Sequence, residues 1–326
     1  MTHQATPTRP TVSIVSITYN HEAFIAEALE GFVRQQVDFP IEIIVADDAS
    51  SDATPAIIKS YADRHPDLFR PILRPANVGI HANLTDAMSA ARGEFLALCE
   101  GDDFWTDPRK LAKQVNFMQA HPKLGLCFHP VRVTWVDGST EDSDFPPLNW
   151  RRDLSVDKLV VRNFIQTNSV MYRKVPHYDD IPTGVLPLDW YLHVRHAVHG
   201  GAAMLPDTMS VYRRHPQGVW YSADTDRELF WRTHGRQQLA LFDAMLDLCS
   251  GSRKRESRVT RYAHRLLREM SSVPGTDGRA LILDVTQHHP RLFDRHAIAR
   301  LSVWATLRYQ RVRTLQRRLR AARPPG

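Results

Sequence analysis

Short apolar runs alternate with amphipathic stretches along the first part of the chain, and this alternation predicts a layered α/β domain. Val12, Ile14, Val15 and Ile17 lie in a β-branched run, Thr11 to Ile17, that reads as a first strand. Phe24, Ala28, Leu29 and Phe32 then fall at helical spacing, with Asn20 placed to cap that helix. Ile41 to Ala46 reads as a second buried strand and ends at Asp47-Asp48. Ser50, Ser51 and Asp52 offer caps for a helix carrying Ile57, Ile58 and Tyr61, and Pro71 to Leu73 reads as a short third strand. Asn77-Val78-Gly79 turns into a helix with Ile80, Leu84, Ala87, Met88 and Ala91, stopped by Gly93. Phe95 to Leu98 forms a fourth strand that runs into Glu100-Gly101-Asp102-Asp103, and Asp107-Pro108 starts a helix with Leu111, Val115 and Met118. The order β-α-β-α-β-α-β predicts a mainly parallel sheet flanked by helices.

The second half is less regular. Leu124 to Trp135 is apolar and strand-like, and Asp137 to Trp150 is a polar, Pro-containing loop. Asn163 to Tyr172 and Ala202 to Tyr212 read as further strands, with a helix around Trp190 to Ala197 between them. From Leu229 onward the pattern is almost wholly helical. The expected organisation is a domain over 1–222, in two halves over 10–122 and 123–222, followed by a helical, basic extension over 223–326.

Composition changes this picture little: 43% hydrophobic and 24% charged residues among 326 suit an ordinary globular enzyme. No apolar window reaches membrane-spanning length. Met1 to Pro10 is polar, and Cys99, Cys127 and Cys249 lack metal-ligand spacing, so a cytoplasmic protein with reduced thiols is expected. Charge adds more. After Asp294 no acidic residue occurs, while Arg295, Arg300, Arg308, Arg311, Arg313, Arg317, Arg318, Arg320 and Arg323 follow. Leu301, Trp304, Val312, Leu315 and Leu319 fall near one stripe there. Such a helix either lies on the inner face of an anionic membrane or packs its stripe on the protein; no nucleic-acid motif accompanies it.

The candidate chemistry sits at strand ends. Adjacent carboxylates repel one another unless a cation neutralises them, and oxygen ligands suit Mg²⁺ or Mn²⁺. Taken alone, Glu100-Gly101-Asp102-Asp103 is equally a helix cap or a metal site. Two acidic pairs, Asp47-Asp48 and Asp102-Asp103, at the carboxyl ends of parallel strands converge on one sheet edge, which favours a site.

With these residues in hand, the chain resembles family 2 glycosyltransferases. The resemblance rests on Val12 to Asn20, Glu42 to Thr54, Asn77-Val78-Gly79, Gly93-Glu94-Phe95 and Asp102-Asp103, in family order, and on Leu188 to Leu192 and Met209 to His215 further on. It implies a GT-A-like fold, a nucleotide-diphosphate sugar donor (UDP-linked by family habit) and a Mn²⁺ or Mg²⁺ cofactor. The acceptor it implies is a glycan or lipid-linked molecule of bacterial polysaccharide synthesis. Position by position it implies that Tyr19, Asn20, Asp47, Asp48 and Asn77 bind the nucleotide. Asp103 is the implied direct metal ligand, with Asp102 on the ribose or a metal-bound water. His215 is implied near the diphosphate, and Asp189 as general base. Departures are Leu188-Asp189 where many relatives carry Glu-Asp, and His81 and Asn83 where they often carry a basic residue.

The chemistry asked of these residues is plain. The acceptor hydroxyl has a high pKa, so a positioned carboxylate must take its proton during attack. A cation offsets charge on the leaving diphosphate. One base opposite the leaving group gives inversion. Asp189 also reads as an N-cap of the following helix. Trp105 and Trp190 are expected to pack, and Asn168-Ser169 to line an acceptor pocket. The alternatives are a sugar-nucleotide nucleotidyltransferase or a non-catalytic nucleotide-sugar-binding module. Ser16 to His21 lacks the glycine and Lys/Arg that the first needs, and Asp103 and Asp189 are both present, against the second.

Overall fold

The computed structural model describes residues 9–218, 221, 226–273 and 276–293. The expected basic stripe over 301–319 lies outside them. The chain divides into two compact units, one of Met1–Thr183 with Leu188–Tyr221, the other of Gly184–Pro187 with Ser222–Gly326.

The first unit is built on a seven-stranded sheet. Its strands are β1 (Val12–Thr18), β2 (Ile41–Asp47), β3 (Phe69–Leu73), β4 (Phe95–Leu98), β6 (Leu126–Phe128), β9 (Met171–Arg173) and β10 (Ala202–Met204), in the spatial order β10-β6-β9-β4-β1-β2-β3. A smaller sheet holds β5 (Phe104–Trp105), β7 (Val131–Trp135), β8 (Ser143–Phe145) and β11 (Ser210–Arg214), in the order β5-β11-β7-β8. Helices α1 (Ile25–Val33), α2 (Thr54–Arg64), α3 (Ile80–Ala90), α4 (Lys110–Ala120), α5 (Val156–Leu159) and α6 (Leu188–Gly200) complete the unit.

β1 runs through the middle, parallel to both β2 and β4, and all seven of its residues are buried. Burial on both faces explains why these strands read as continuous apolar runs rather than alternating ones. One of β1's polar residues is used at its start. Ser13 Oγ donates to Glu42 Oε1 at 2.6 Å and accepts from the Gly93 amide at 2.8 Å. A Cβ on Gly93 would stand 2.5 Å from the Ser13 nitrogen, so only glycine admits this approach of the α3–β4 turn. Glu42 also meets Arg70 at 3.0 Å and Arg92 at 2.7 Å. Burial pushes its carboxyl up, yet the bonds from Ser13, Arg92 and Arg70 hold it below the usual range.

Several sequence expectations need correction. Leu124 to Trp135 is not one strand: His129-Pro130 separates β6 from β7, which join different sheets. Ala202 to Tyr212 likewise divides into β10 and β11. Of Asn163 to Tyr172 only the end is strand; Thr167–Ser169 is a single 3₁₀ turn, and β9 runs antiparallel to β4 and β6. The loop from Asp137 to Trp150 contains β8. Asn20 does not cap α1, which begins at Ile25; it turns the chain at φ 55°. Asn168, expected beside the acceptor, is fully buried. Its side chain donates to the Val211 carbonyl at 2.8 Å and its own carbonyl accepts from Trp105 Nε1 at 2.9 Å, which stitches the two sheets together. Trp105 and Trp190 pack as expected, both nearly buried.

The second unit is helical over its described residues, with helices Arg227–Leu248, Arg253–Met270 and Gly278–His288. No helix among the described residues is long and apolar enough to cross a membrane.

Candidate active site

The two acidic strand ends meet on either side of β1. The Asp48 amide donates to the Thr18 carbonyl at 3.0 Å, and the Gly101 amide to the Ile17 carbonyl at 2.9 Å. The last carbonyls of β1 thus receive the first amides of both acidic turns. A Cβ on Gly101 would stand 2.7 Å from Thr18 Oγ1, so the turn after β4 closes this tightly only with glycine.

On the β2 side the carboxylates hold loops. Asp47 accepts from the Ser50 amide at 3.0 Å and from its hydroxyl. Asp48 accepts from the Val78 and Gly79 amides at 2.8 and 2.9 Å, one on each oxygen. Asn77 donates to the Asp48 carbonyl at 3.1 Å, and Gly79 takes φ 86°, a value that favours glycine. Asn20 accepts from the Ser51 amide at 2.8 Å while its own amide donates to Ser50 Oγ at 2.8 Å. These bonds join the loops after β1, β2 and β3 into one rim. On it Tyr19 is 47% exposed, with Leu73, Val78 and Ile80 also exposed.

On the β4 side, Glu100, Asp102 and Asp103 bring carboxylate oxygens within 4.8 Å of one another. Sequence reasoning left Glu100 without a role; the turn puts it in the group. Asp103 is fully buried. Its Oδ1 accepts from the Arg213 amide at 2.9 Å, and its Oδ2 is buried without a hydrogen-bond partner. Burial, then the charges of Asp102 and Glu100, lift the Asp103 carboxyl well above the usual range. Burial, then Asp102 and Asp189, do the same to Glu100. Asp102 differs. Burial pushes it up, but His215 at 3.0 Å and His21 at 3.9 Å hold it below the usual range. His215 is raised in return, chiefly by its bond to Asp102. Its other nitrogen lies 3.0 Å from Gln217 Oε1, so both ring nitrogens face oxygens.

This donor set fits a hard divalent cation. An orphaned buried carboxylate oxygen and two neighbouring carboxyls that resist ionisation are what such an ion would relieve. Asp103 offers the vacant oxygen. Asp102 offers one already shared with His215.

Asp189 arrives from α6. It lies in the first turn, one residue inside the helix start, so it is not the N-cap. Its Oδ2 lies 3.2 Å from Asn163 Nδ2 and 3.4 Å from Thr167 Oγ1. Burial raises its carboxyl to about 6 against those bonds. Its charge also raises the Glu100 carboxyl, so the two lie within electrostatic reach of one another.

Four neighbours escaped the sequence. Arg213 supplies the amide for Asp103 and donates its guanidinium to the Asp102 carbonyl at 2.8 Å, while pairing with Glu27. His21 stands beside Asp102. Asn163 and Thr167 hold Asp189. Arg213 could have been found from its place beside His215; Asn163 and Thr167 carry no local signal.

Residues 13–177 match the family described as glycosyl transferase family 2, and the chain belongs to it. It is a glycosyltransferase with the GT-A fold. An uncharacterized protein of Mycobacterium tuberculosis strain H37Rv, Rv1520, is 61% identical over 281 residues, covering 86% of this chain and 81% of the relative. An uncharacterized glycosyltransferase of Nostoc, alr2836, is 26% identical over 181 residues, 55% of this chain and 54% of its own. Among solved structures, Staphylococcus aureus TarS 1–349 in complex with UDP-GlcNAc aligns with a TM-score of 0.59 at 19% identity, over 86% of this chain and 82% of that one. The mannosyltransferase PcManGT of Pyrobaculum calidifontis, in complex with GDP-Man and Mn²⁺, aligns at 0.54 and 21%, over 92% and 87%. At these identities the structures share the fold.

Proposed function

We propose that this enzyme transfers a sugar from a UDP-linked donor to a hydroxyl of a glycan or lipid-linked acceptor, with inversion at the anomeric carbon. One observation supports the reading: a carboxylate lifted to about 6, Asp189, is held by Asn163 and Thr167 apart from the cluster of three carboxylates at the end of β4, yet within electrostatic reach of it. The two groups have different chemistry and suit different tasks. Asp189 is largely ionised at neutral pH yet more basic than an ordinary aspartate, as a general base should be. It takes the proton of the acceptor hydroxyl while that oxygen attacks the anomeric carbon and the nucleoside diphosphate leaves. Attack from the side of Asp189, opposite the leaving group, inverts the centre.

Asp103, with Asp102 and Glu100 beside it, would hold Mn²⁺ or Mg²⁺, which when bound supplies positive charge against the diphosphate. The bond between His215 and Asp102 favours the ionised form of Asp102 and sets the His215 ring beside the carboxylates that would hold the ion. Tyr19, exposed on the rim, offers a face for the nucleobase. Asp48 fixes the loop beneath the base and offers its remaining lone pairs to an imide N–H. Asp47, Asn20 and Asn77 hold that rim in shape. A neighbour's complex with UDP-GlcNAc and another's with GDP-Man and Mn²⁺ support the donor class and the ion.

Titration of the enzyme with UDP by calorimetry, with and without Mn²⁺, tests this reading. Binding at least about tenfold tighter with Mn²⁺ is expected from charge neutralisation at the carboxylates. Equal affinity in both conditions would contradict it.

A further inference from the structure

The 3₁₀ turn Thr167–Ser169 is three residues long, and all three are buried. So short a turn has little internal hydrogen bonding to fix it. Yet it carries Thr167, whose Oγ1 lies 3.4 Å from Asp189 Oδ2. Side chains tie the turn to three other elements. Asn168 Nδ2 donates to the Val211 carbonyl of β11 at 2.8 Å, and Ser210 Oγ of the same strand donates to Asn168 Oδ1 at 3.2 Å. Trp105 Nε1 of β5 donates to the Asn168 carbonyl at 2.9 Å. Gln114 Nε2 of α4 donates to the Ser169 carbonyl at 2.9 Å.

This arrangement gives a use to a buried lysine. Lys110 is fully buried, with its Nζ 4.0 Å from the centre of the Trp105 ring and donating to Gln114 Oε1 at 2.7 Å. An amide whose oxygen accepts from Lys110 turns its nitrogen the other way, and the Ser169 carbonyl lies there. Lys110 therefore backs the two donors, Trp105 and Gln114, that hold the turn's carbonyls. The choice of Asn at 168 has the same logic. The Val211 carbonyl needs a donor and the Ser210 hydroxyl an acceptor. Of the side chains of this size, Asp lacks the donor and Leu lacks both.

The far end of the Asn168 bond belongs to the donor side of the site. Val211 precedes by two residues Arg213, whose amide donates to Asp103 Oδ1 at 2.9 Å. β11 is also held without Asn168, by its pairing with β5 and β7. One side chain thus joins the turn that bonds Asp189 to the strand that bonds Asp103.

We propose that Asn168 is a positioning residue, which sets the separation of Asp189 from the carboxylates at the end of β4. The proposal rests on the reading of Asp189 as the base. Without the Asn168 side chain, β11 and Asp103 keep their places and the turn shifts, carrying Thr167 away from Asp189. The donor then binds as before, and the base is misaimed.

A kinetic cycle tests the proposal. The natural chain, Asn168→Ala, Asp189→Asn and the double variant are given UDP-GlcNAc, UDP-glucose and UDP-galactose together with Mn²⁺, and UDP release is measured beside UDP affinity by calorimetry. Asn168→Ala is expected to lower the rate at saturating donor about 10-fold to 100-fold with UDP affinity unchanged. In the Asp189→Asn background the same change should cost less than about twofold, because a residue that acts through another is not additive with it. A packing role alone would cost the same factor in both backgrounds. Ser210→Ala removes one bond and keeps the tether to Val211. It should lower the rate about fivefold with the same non-additivity, which keeps the cycle informative if Asn168→Ala unfolds. Unchanged turnover by Asn168→Ala, equal cost in both backgrounds, or loss of UDP affinity together with turnover would each overturn the proposal. Natural turnover by Asp189→Asn, or no UDP release by the natural chain, would instead strike the functional reading beneath it.

Discussion

The Nε2 of His193 lies 3.7 Å from the Oδ2 of Asp189, one turn along the same helix. Behind it, His193 Nδ1 lies 2.6 Å from the Tyr172 hydroxyl. Burial pushes the ring down to about 3, so it is neutral at working pH. A Tyr172 hydroxyl that donates to Nδ1 leaves the ring proton on Nε2, which is buried beside the carboxylate without a hydrogen-bond partner. The proposed base thus has an uncharged ring packed against it, while Asn163 and Thr167 supply its hydrogen bonds.

Replacement of His193 by Phe is therefore expected to lower kcat by roughly 10-fold to 100-fold through misplacement of Asp189, with donor KM unchanged. The acid limb of the pH–rate profile should also move to higher pH, since a group favouring ionised Asp189 is lost. Steady-state kinetics over a pH series check both. A loss of kcat with the limb unmoved would mean a packing role only.

The natural enzyme should show that limb near pH 6, the value to which burial raises Asp189. Below it, kcat/KM falls about tenfold per pH unit as the base becomes protonated, and above it the rate levels off. The sign for stability is opposite. A folded carboxyl raised from 3.8 to about 6 holds its proton more tightly than the unfolded chain does, so this group costs stability as pH climbs through that window.

Asp103→Asn separates the ion from the fold. In metal-free protein the substitution removes a buried charge that burial already disfavours, so the melting temperature should stay level or rise. Mn²⁺ should raise the melting temperature of the natural protein and leave that of Asp103→Asn unmoved. Differential scanning fluorimetry with and without Mn²⁺ reads both effects.

Glu42 sits at the other end of the sheet, away from chemistry. Glu42→Gln loses charge-assisted bonds to Arg70 and Arg92, and about 1.5–3 kcal/mol of stability should go with them. Because the folded carboxyl is held below its ordinary value, this contribution is complete above that value and lost as pH falls through the folded one. Urea melts near neutral and at acid pH check both, with UDP affinity unchanged.

The legible part of this protein is the part where one local rule decides. β1, β2 and β4 are buried on both faces, so Val12 to Ile17, Ile41 to Ala46 and Phe95 to Leu98 read as strands without ambiguity. Carboxylates that follow such runs fall at the sheet's carboxyl edge, which made Asp102 and Asp103 visible. The second half obeys contacts across the fold instead. β5 is two residues long and exists through Ser210 and Val211; no window of sequence announces it. His129-Pro130 ends one strand and begins another in a different sheet. Asn163 and Thr167 reach Asp189 across 26 and 22 positions, and the His215–Asp102 bond spans 113.

The central claim is that Asp189 takes the proton from the acceptor while the carboxylates at the end of β4 serve the donor. Turnover by Asp189→Asn, measured as UDP release beside UDP affinity in Mn²⁺, tests it most directly. The amide keeps the size and polar contacts of the side chain but cannot take the proton. Turnover should fall by about 10²–10⁴-fold with UDP affinity nearly unchanged and the melting temperature level or higher, since the amide removes a buried charge. Turnover near that of the natural enzyme, with UDP bound as before, would contradict it.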